Sequence, residues 1–142
     1  MVKIYLDPGH GGNDPGAIGN GLREKDLTLA ISLKIRNLLE QYEGVQVRLS
    51  RTTDKTLTLK QRTDDANAWG ADYLLSIHIN AFNGSARGYE DYIYSGLSDS
   101  SQTAQYRDVM HEEITKLIDM PNRGKKKANF HMLRESRMSA ML

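Results

Sequence analysis

Short apolar runs of strand length alternate along this chain with longer stretches of helical period, and that alternation leaves few architectures open. Val2 to Leu6 is an apolar run closed by Asp7-Pro8-Gly9, which reads as a buried strand followed by a turn. The glycine-rich stretch His10 to Gly21 reads as loop. Leu27, Ile31, Ile35, Leu38 and Tyr42 recur at helical spacing, so a helix over Glu24 to Tyr42 is expected with that face inward and a stop at Gly44. Val45, Val47 and Leu49 alternate with polar residues and predict a second strand. Leu59 to Trp69 predicts a helix with Leu59, Arg62, Ala66 and Trp69 on one side. Asp72 to Asn80 predicts a strand covered on both faces, and Tyr89 to Tyr94 another. Gln102 to Ile118 predicts a helix packed through Tyr106, Val109, Met110, Ile114 and Leu117. Asn129 to Leu133 reads as a short strand, and Ser139 to Leu142 as the start of a buried one.

Strands alternating with helices predict the α/β class: a single-domain, three-layer α/β/α fold with a mostly parallel central sheet. The 142 residues suffice for one domain with a real core. The expected domain runs over 1–142 and is incomplete at its C-terminus, truncated inside the last strand. A formal net charge of +1 gives no global field for nucleic acid. With no cysteine, disulfides and thiolate sites are excluded, so a transition metal must use histidine and carboxylate ligands. The N-terminal apolar run is too short for a signal peptide, and no segment approaches the ~20 apolar residues of a membrane span.

In open parallel sheets, ligand sites gather at the carboxyl ends of strands. His10 in LDPGHGG and His78 in LLSIHIN each fall just past an apolar run, and Glu24 in GLREKDLTL stands at the mouth of a helix. Two imidazoles and one carboxylate at one sheet edge make a catalytic zinc site with a fourth position open to water. Asp7, Asn80 and backbone carbonyls are candidates to orient the imidazoles. A lone histidine at a strand end is more often structural, and a carboxylate in a first helical turn is expected from the helix dipole. The spacing of the three is by itself a weak metal signal, because it lacks the compact HExxH pattern. Other motifs fail. Gly9 to Asp14 resembles a dinucleotide fingerprint, but Asp14 stands at the third glycine and no helix opens there. His111-Glu112-Glu113 begins like HExxH, but position 115 is Thr, so the three read as solvated helix. Arg123-Gly124-Lys125-Lys126-Lys127 reads as a solvated loop, with contact to an anionic polymer as the other reading.

Taken in order, LDPGHGGNDPGA, the Glu of GLREKDL, LSRTTD, the Leu59/Arg62 pair before Ala66-Asn67, ADYLLSIHINA, GYEDYIY and HMLRES resemble the zinc-dependent N-acetylmuramoyl-L-alanine amidases of the type 3 amidase family. RDVMHEEI and RGKKKANFHMLRE look most like the Bacillus-type sporulation autolysins that help lyse the mother-cell wall. The resemblance implies one Zn²⁺ held by His10, Glu24 and His78. It implies a peptidoglycan hydrolase that cleaves the amide between the lactyl group of N-acetylmuramic acid and L-alanine of the stem peptide. Family members also use a second, non-ligating glutamate as general base and acid. That residue is expected just beyond Leu142, so no catalytic base is expected in this chain. Glu135 matches a different family position. Asn80, His131 and Arg134 lie in matching segments and are candidate substrate contacts, whereas Arg51 and Arg62 are expected to brace the fold.

The expected partner is peptidoglycan, with no nucleic acid and no membrane span, for a monomer made in the cytoplasm and reaching the wall after release or lysis. The alternatives are a catalytically impaired, zinc-containing peptidoglycan-binding module and a phage endolysin amidase. No long inserted helix is visible, so the cleft is expected to be open.

Overall fold

The computed structural model of the chain describes residues 1–80 and 87–142; the last residue of the ADYLLSIHINA motif, Ala81, lies outside them. In chain order the elements are β1 (Val2–Pro8), β2 (Ile18–Gly19), β3 (Leu22–Arg23), α1 (Glu24–Leu39), β4 (Val45–Leu49), α2 (Leu59–Trp69), β5 (Tyr73–Ile77), β6 (Tyr89–Tyr94), α3 (Gln102–Leu117), β7 (Asn122–Ala128), α4 (His131–Arg134) and β8 (Ser139–Met141).

Four strands form a sheet in the order β4-β1-β5-β8, and every pair is parallel. Tyr92 exchanges two backbone hydrogen bonds with Leu142, at 2.8 and 3.0 Å, which link β8 to β6; β6 then pairs in parallel with β7. The β1-α1-β4 connection steps one way along the sheet, and β4-α2-β5 steps back across β1. Right-handed crossovers therefore set α1 and α2 on opposite faces. Tyr5, Leu74 and Ala140 stand in register on one face and pack against Ala66 of α2 and Met132 and Leu133 of α4. On the other face Tyr73 donates to Met110 Sδ of α3 at 3.5 Å, and Thr103 of α3 bonds Ser139 at 2.7 Å. The result is the expected α/β/α arrangement. Leu6 and Leu74 are fully buried, and each contributes roughly 1.5–3 kcal/mol of hydrophobic stabilisation.

Local sequence explains the elements that carry the site. α2 begins with a capping box: Gln61 N donates to Thr58 Oγ1, and Thr58 N donates to Gln61 Oε1. α1 begins without a side-chain cap, but Glu24 and Asp26 place negative charge in its first turn. Because the chain leaves β1 for β4 and returns to β5, the boundary between β1 and β5 is the topological switch point, where the ends of parallel strands open a crevice.

Several expectations do not hold. In α1 the buried positions are Glu24, Lys25, Thr28 and Ser32, while Ile31, Leu38 and Tyr42 are exposed. Polar side chains face the sheet there because they have partners: Thr28 Oγ1 donates to Gly9 O at 2.8 Å and Ser32 Oγ donates to Thr28 O at 2.7 Å. In α3 the buried residues are Thr103, Ala104, Arg107 and His111, while Tyr106, Val109 and Leu117 are exposed. His111 is not solvated; it bonds Asp91 Oδ2 at 2.7 Å and Asn122 Oδ1 at 2.9 Å. The basic cluster is not a loop but part of β7, where Arg123 and Lys126 pair with Glu90, Lys125 with Asp108 and Lys127 with Asp99. Residues 129–133 form no strand; Asn129 and Phe130 lead into the single turn of α4, which begins at His131. The expected loop before α1 carries the small antiparallel pair β2-β3.

Candidate metal centre

His10 and His78 leave the C-terminal ends of neighbouring strands, and Gly9 N donates to Ile77 O at 2.9 Å to keep those ends together. The β2-β3 pair delivers Glu24 opposite them, with Glu24 N donating to Ala17 O at 2.8 Å. Two buried arginines hold the loop after β1. Arg51 donates through Nε to His10 O at 2.9 Å and through Nη2 to Gly9 O at 3.1 Å and Lys25 O at 2.9 Å. Arg62 donates to Asp7 Oδ1 at 2.9 Å, Pro8 O at 2.7 Å and His10 O at 2.8 Å. These bonds hold His10 at φ 63°, a left-handed conformation that costs a non-glycine residue ~1–2 kcal/mol. Gly9 has no side chain for a reason: a Cβ there would lie 2.5 Å from the His78 ring.

Hydrogen bonds on the far side of each ring orient both imidazoles. His10 Nδ1 bonds Asp14 Oδ2 at 2.7 Å, and His78 Nε2 bonds Ser76 Oγ at 3.2 Å. The other nitrogens, His10 Nε2 and His78 Nδ1, face each other at 3.3 Å and meet Glu24 Oε1 at 3.0 and 3.3 Å. A proton on each outer nitrogen leaves a lone pair on each inner one. Three lone-pair atoms then form a triangle with edges of 3.0–3.3 Å. A tetrahedral ion with ligand bonds of ~2.0–2.1 Å needs edges of about 3.3–3.4 Å. The donor set therefore fits a small divalent metal. Among the described residues it is the one such cluster.

Burial pushes the Glu24 carboxyl up, but the adjacent His78 ring, the backbone N–H groups of Ala17 and Ile79 and the nearby His10 outweigh it and bring its pKa down to about 2. The hydrogen bond with His10 likewise holds the Asp14 carboxyl below the usual range. Both groups are anions at neutral pH, as metal binding requires.

The cluster lies in a groove of about 900 Å³ whose apolar wall includes Leu57, Leu59, Tyr92, Phe130 and Leu142. The Tyr92 and Phe130 rings meet edge-on at 5.3 Å. Asn80 and His131 line this groove, with His131 Nε2 bonded to Thr63 Oγ1 at 3.1 Å. Arg134 lines a separate cavity, and its guanidinium bonds Glu135 and Asn129. Arg51 and Arg62 brace the loop as expected. Asp7 reaches His78 through Ser76. Sequence reasoning missed Asp14 and Ser76, although each stands within four residues of the histidine it orients.

The chain spans about half the length of the curated relatives it matches. It is 59% identical over 143 residues to N-acetylmuramoyl-L-alanine amidase CwlM of Bacillus licheniformis, covering 100% of this chain and 55% of the relative. It is 53% identical over 143 residues to the sporulation-specific N-acetylmuramoyl-L-alanine amidase of Bacillus subtilis (strain 168), covering 100% of this chain and 54% of the relative. The solved catalytic domain of CwlV, an N-acetylmuramoyl-L-alanine amidase of Bacillus (Paenibacillus) polymyxa var. colistinus, superposes with a TM-score of 0.91 at 34% identity, over 100% of this chain and 78% of that one. The family model described as N-acetylmuramoyl-L-alanine amidase matches residues 4–142, from the first strand through both histidines to the last. By that match and by those relatives, the chain belongs to the N-acetylmuramoyl-L-alanine amidase family.

Proposed function

We propose that this chain is the zinc-binding domain of a peptidoglycan hydrolase that cleaves the amide between the lactyl group of N-acetylmuramic acid and L-alanine of the stem peptide. The observation that carries the reading is the triangle of His10 Nε2, Glu24 Oε1 and His78 Nδ1 at the edge of an open groove. Zinc held there would lower the pKa of a water toward ~7 and polarise the scissile carbonyl. Glu24 supplies the one negative charge of the donor set, so the site keeps a net positive charge facing the substrate oxygen. Tyr92, Phe130, Leu57 and Leu59 offer apolar surface to sugar faces and to the alanine methyl, and Asn80 and His131 offer polar contacts. Among the described residues no helix closes the groove over the metal cluster, and none is long and apolar enough to cross a membrane.

Each carboxylate lining the groove among the described residues already has work. Asp7 accepts from Arg62, Ser50 and Ser76; Asp14 bonds His10 and Gly16 N; Glu24 accepts from Ala17 N and Ile79 N and faces both histidines; Glu90 bonds Tyr92 and Lys126. The proton carrier is therefore proposed to be the glutamate that the family pattern sets on chain following Leu142, a residue that itself lines the groove. The name of the Bacillus subtilis relative, a sporulation-specific amidase, supports a role in sporulation.

The test uses purified peptidoglycan and zinc-loaded protein extended past Leu142 through that glutamate. The expected result is new alanine amino termini without new reducing ends, abolished by His10→Ala. New reducing ends would overturn the bond assignment. Wall binding with no hydrolysis would establish the impaired binding module instead.

A further inference from the structure

We propose that Arg62, Asp7 and Ser76 form a positioning relay that fixes the tautomer of His78, so that its Nδ1 carries the lone pair facing Glu24 and His10. The inference rests on the metal reading above but concerns this chain's own hydrogen bonds. Asp7 is 1% exposed and Ser76 2%, so neither is reached by bulk water. Asp7 Oδ1 accepts from Arg62 Nη1 at 2.9 Å and from Ser50 Oγ at 2.7 Å. Its Oδ2 accepts from Ser76 Oγ at 2.7 Å. An ionised carboxylate can only accept, so the single Ser76 hydroxyl proton is committed to Asp7. The Ser76 oxygen then has only lone pairs to offer His78 Nε2 at 3.2 Å. Nε2 must carry the ring proton, and Nδ1 is left bare toward the cluster.

The order of the chain matters. Arg62, 3% exposed, pairs with the Asp7 carboxylate; Asp7 accepts the hydrogen bond of the serine hydroxyl; the serine oxygen selects the tautomer. Gly9 seats the ring from one side, where a Cβ would lie within 2.8 Å of three ring atoms. Nothing in this relay touches substrate, so its members are positioning residues. Without the serine oxygen, the proton has a competing home on Nδ1, where Glu24 Oε1 waits at 3.3 Å. That tautomer points a proton at the place a metal must occupy.

The experiment reads the imidazole ¹⁵N shifts of His78 in metal-free protein, followed by zinc affinity from chelator competition. The parent protein is expected to show one tautomer, protonated on Nε2. Ser76→Ala is expected to gain the Nδ1-protonated form and to bind zinc about 10–100-fold more weakly. Ser76→Thr, which keeps the hydroxyl, is expected to recover both. A parent His78 protonated on Nδ1 overturns the relay with no variant needed. An unchanged tautomer together with unchanged zinc affinity in Ser76→Ala also overturns it. Absence of zinc binding in the parent would count against the metal site alone, because the tautomer is read without metal.

Discussion

Arg62→Met tests the electrostatic frame beneath the site. The substitution keeps most of the side-chain volume and removes the only cationic partner that Asp7 has at hydrogen-bond distance among the described residues, in a pair whose members are 3% and 1% exposed. Among the backbone groups, Pro8 O and His10 O keep bonds from Arg51 Nε, at 3.3 and 2.9 Å, and Leu57 O loses a 3.3 Å bond. Asp7 keeps the Ser50 and Ser76 hydroxyls, each at 2.7 Å. The dominant loss is thus the charge compensation of a buried carboxylate, for which removing one partner costs about 3–5 kcal/mol. The two retained hydroxyls place the expectation near the low end, about 3 kcal/mol. For a domain of this size each kcal/mol shifts Tm by ~2–4 °C, so a fall of roughly 6–12 °C is expected. Urea unfolding and calorimetry with chelator present exclude metal linkage from the comparison. Adding Asp7→Asn to Arg62→Met should recover part of the loss, because the orphaned charge is gone. Lys60→Met, which breaks the exposed pair with Asp64, should cost only about 0.3–0.5 kcal/mol. A loss below ~1 kcal/mol in Arg62→Met, or no recovery in the double variant, would refute the reasoning.

Three further outcomes follow from the same geometry. Glu24 has its pKa held at about 2 against an ordinary 4.5, so the unfolded chain takes up the proton first; the stability it contributes to metal-free protein is complete above about pH 4.5 and is lost as pH falls toward 2. Urea midpoints measured across that window should slope less in Glu24→Gln than in the parent, and identical slopes would contradict the assignment. Gly9→Ala should cost ~1–3 kcal/mol by overpacking against the His78 ring and should weaken zinc binding, read by chelator competition; unchanged affinity would mean the ring has room. Thr58→Ala should cost ~1 kcal/mol by removing the α2 cap, measured as a shift in the urea midpoint at constant slope.

The strands of the parallel sheet and the helix α2 were legible because their signals are local: apolar runs, alternation, and the helical spacing of Leu59, Arg62, Ala66 and Trp69. The inward faces of α1 and α3 were not. Their apolar stripes look like core, yet the residues that face the sheet are Thr28, Ser32, Arg107 and His111; Ser32 bonds Thr28 O one turn back, and the other three are made compatible with burial by partners far away in sequence. A period-based reading weighs side-chain polarity and cannot see Gly9 O or Asp91 waiting opposite. β7 was missed for a related reason: Lys125, Lys126 and Lys127 give no alternation of hydrophobicity, and the strand is held by ladder bonds to β6 and by carboxylates on β6, α3 and the intervening loop. The meeting of His10, Glu24 and His78 was legible because strand ends and helix starts share one edge of such a sheet, and the three side chains converge there as expected. Ser76 and Asp14 escaped because a serine or aspartate near a histidine becomes informative only once the ring's orientation is known.

The most direct test of the account is the zinc content of the purified protein after dialysis against trace metal, measured beside His10→Ala and Glu24→Ala. The account predicts about one zinc per chain in the parent and none retained by either variant, with all three still folded by circular dichroism. A folded parent that holds no stoichiometric zinc, or variants that hold as much as the parent, would contradict it.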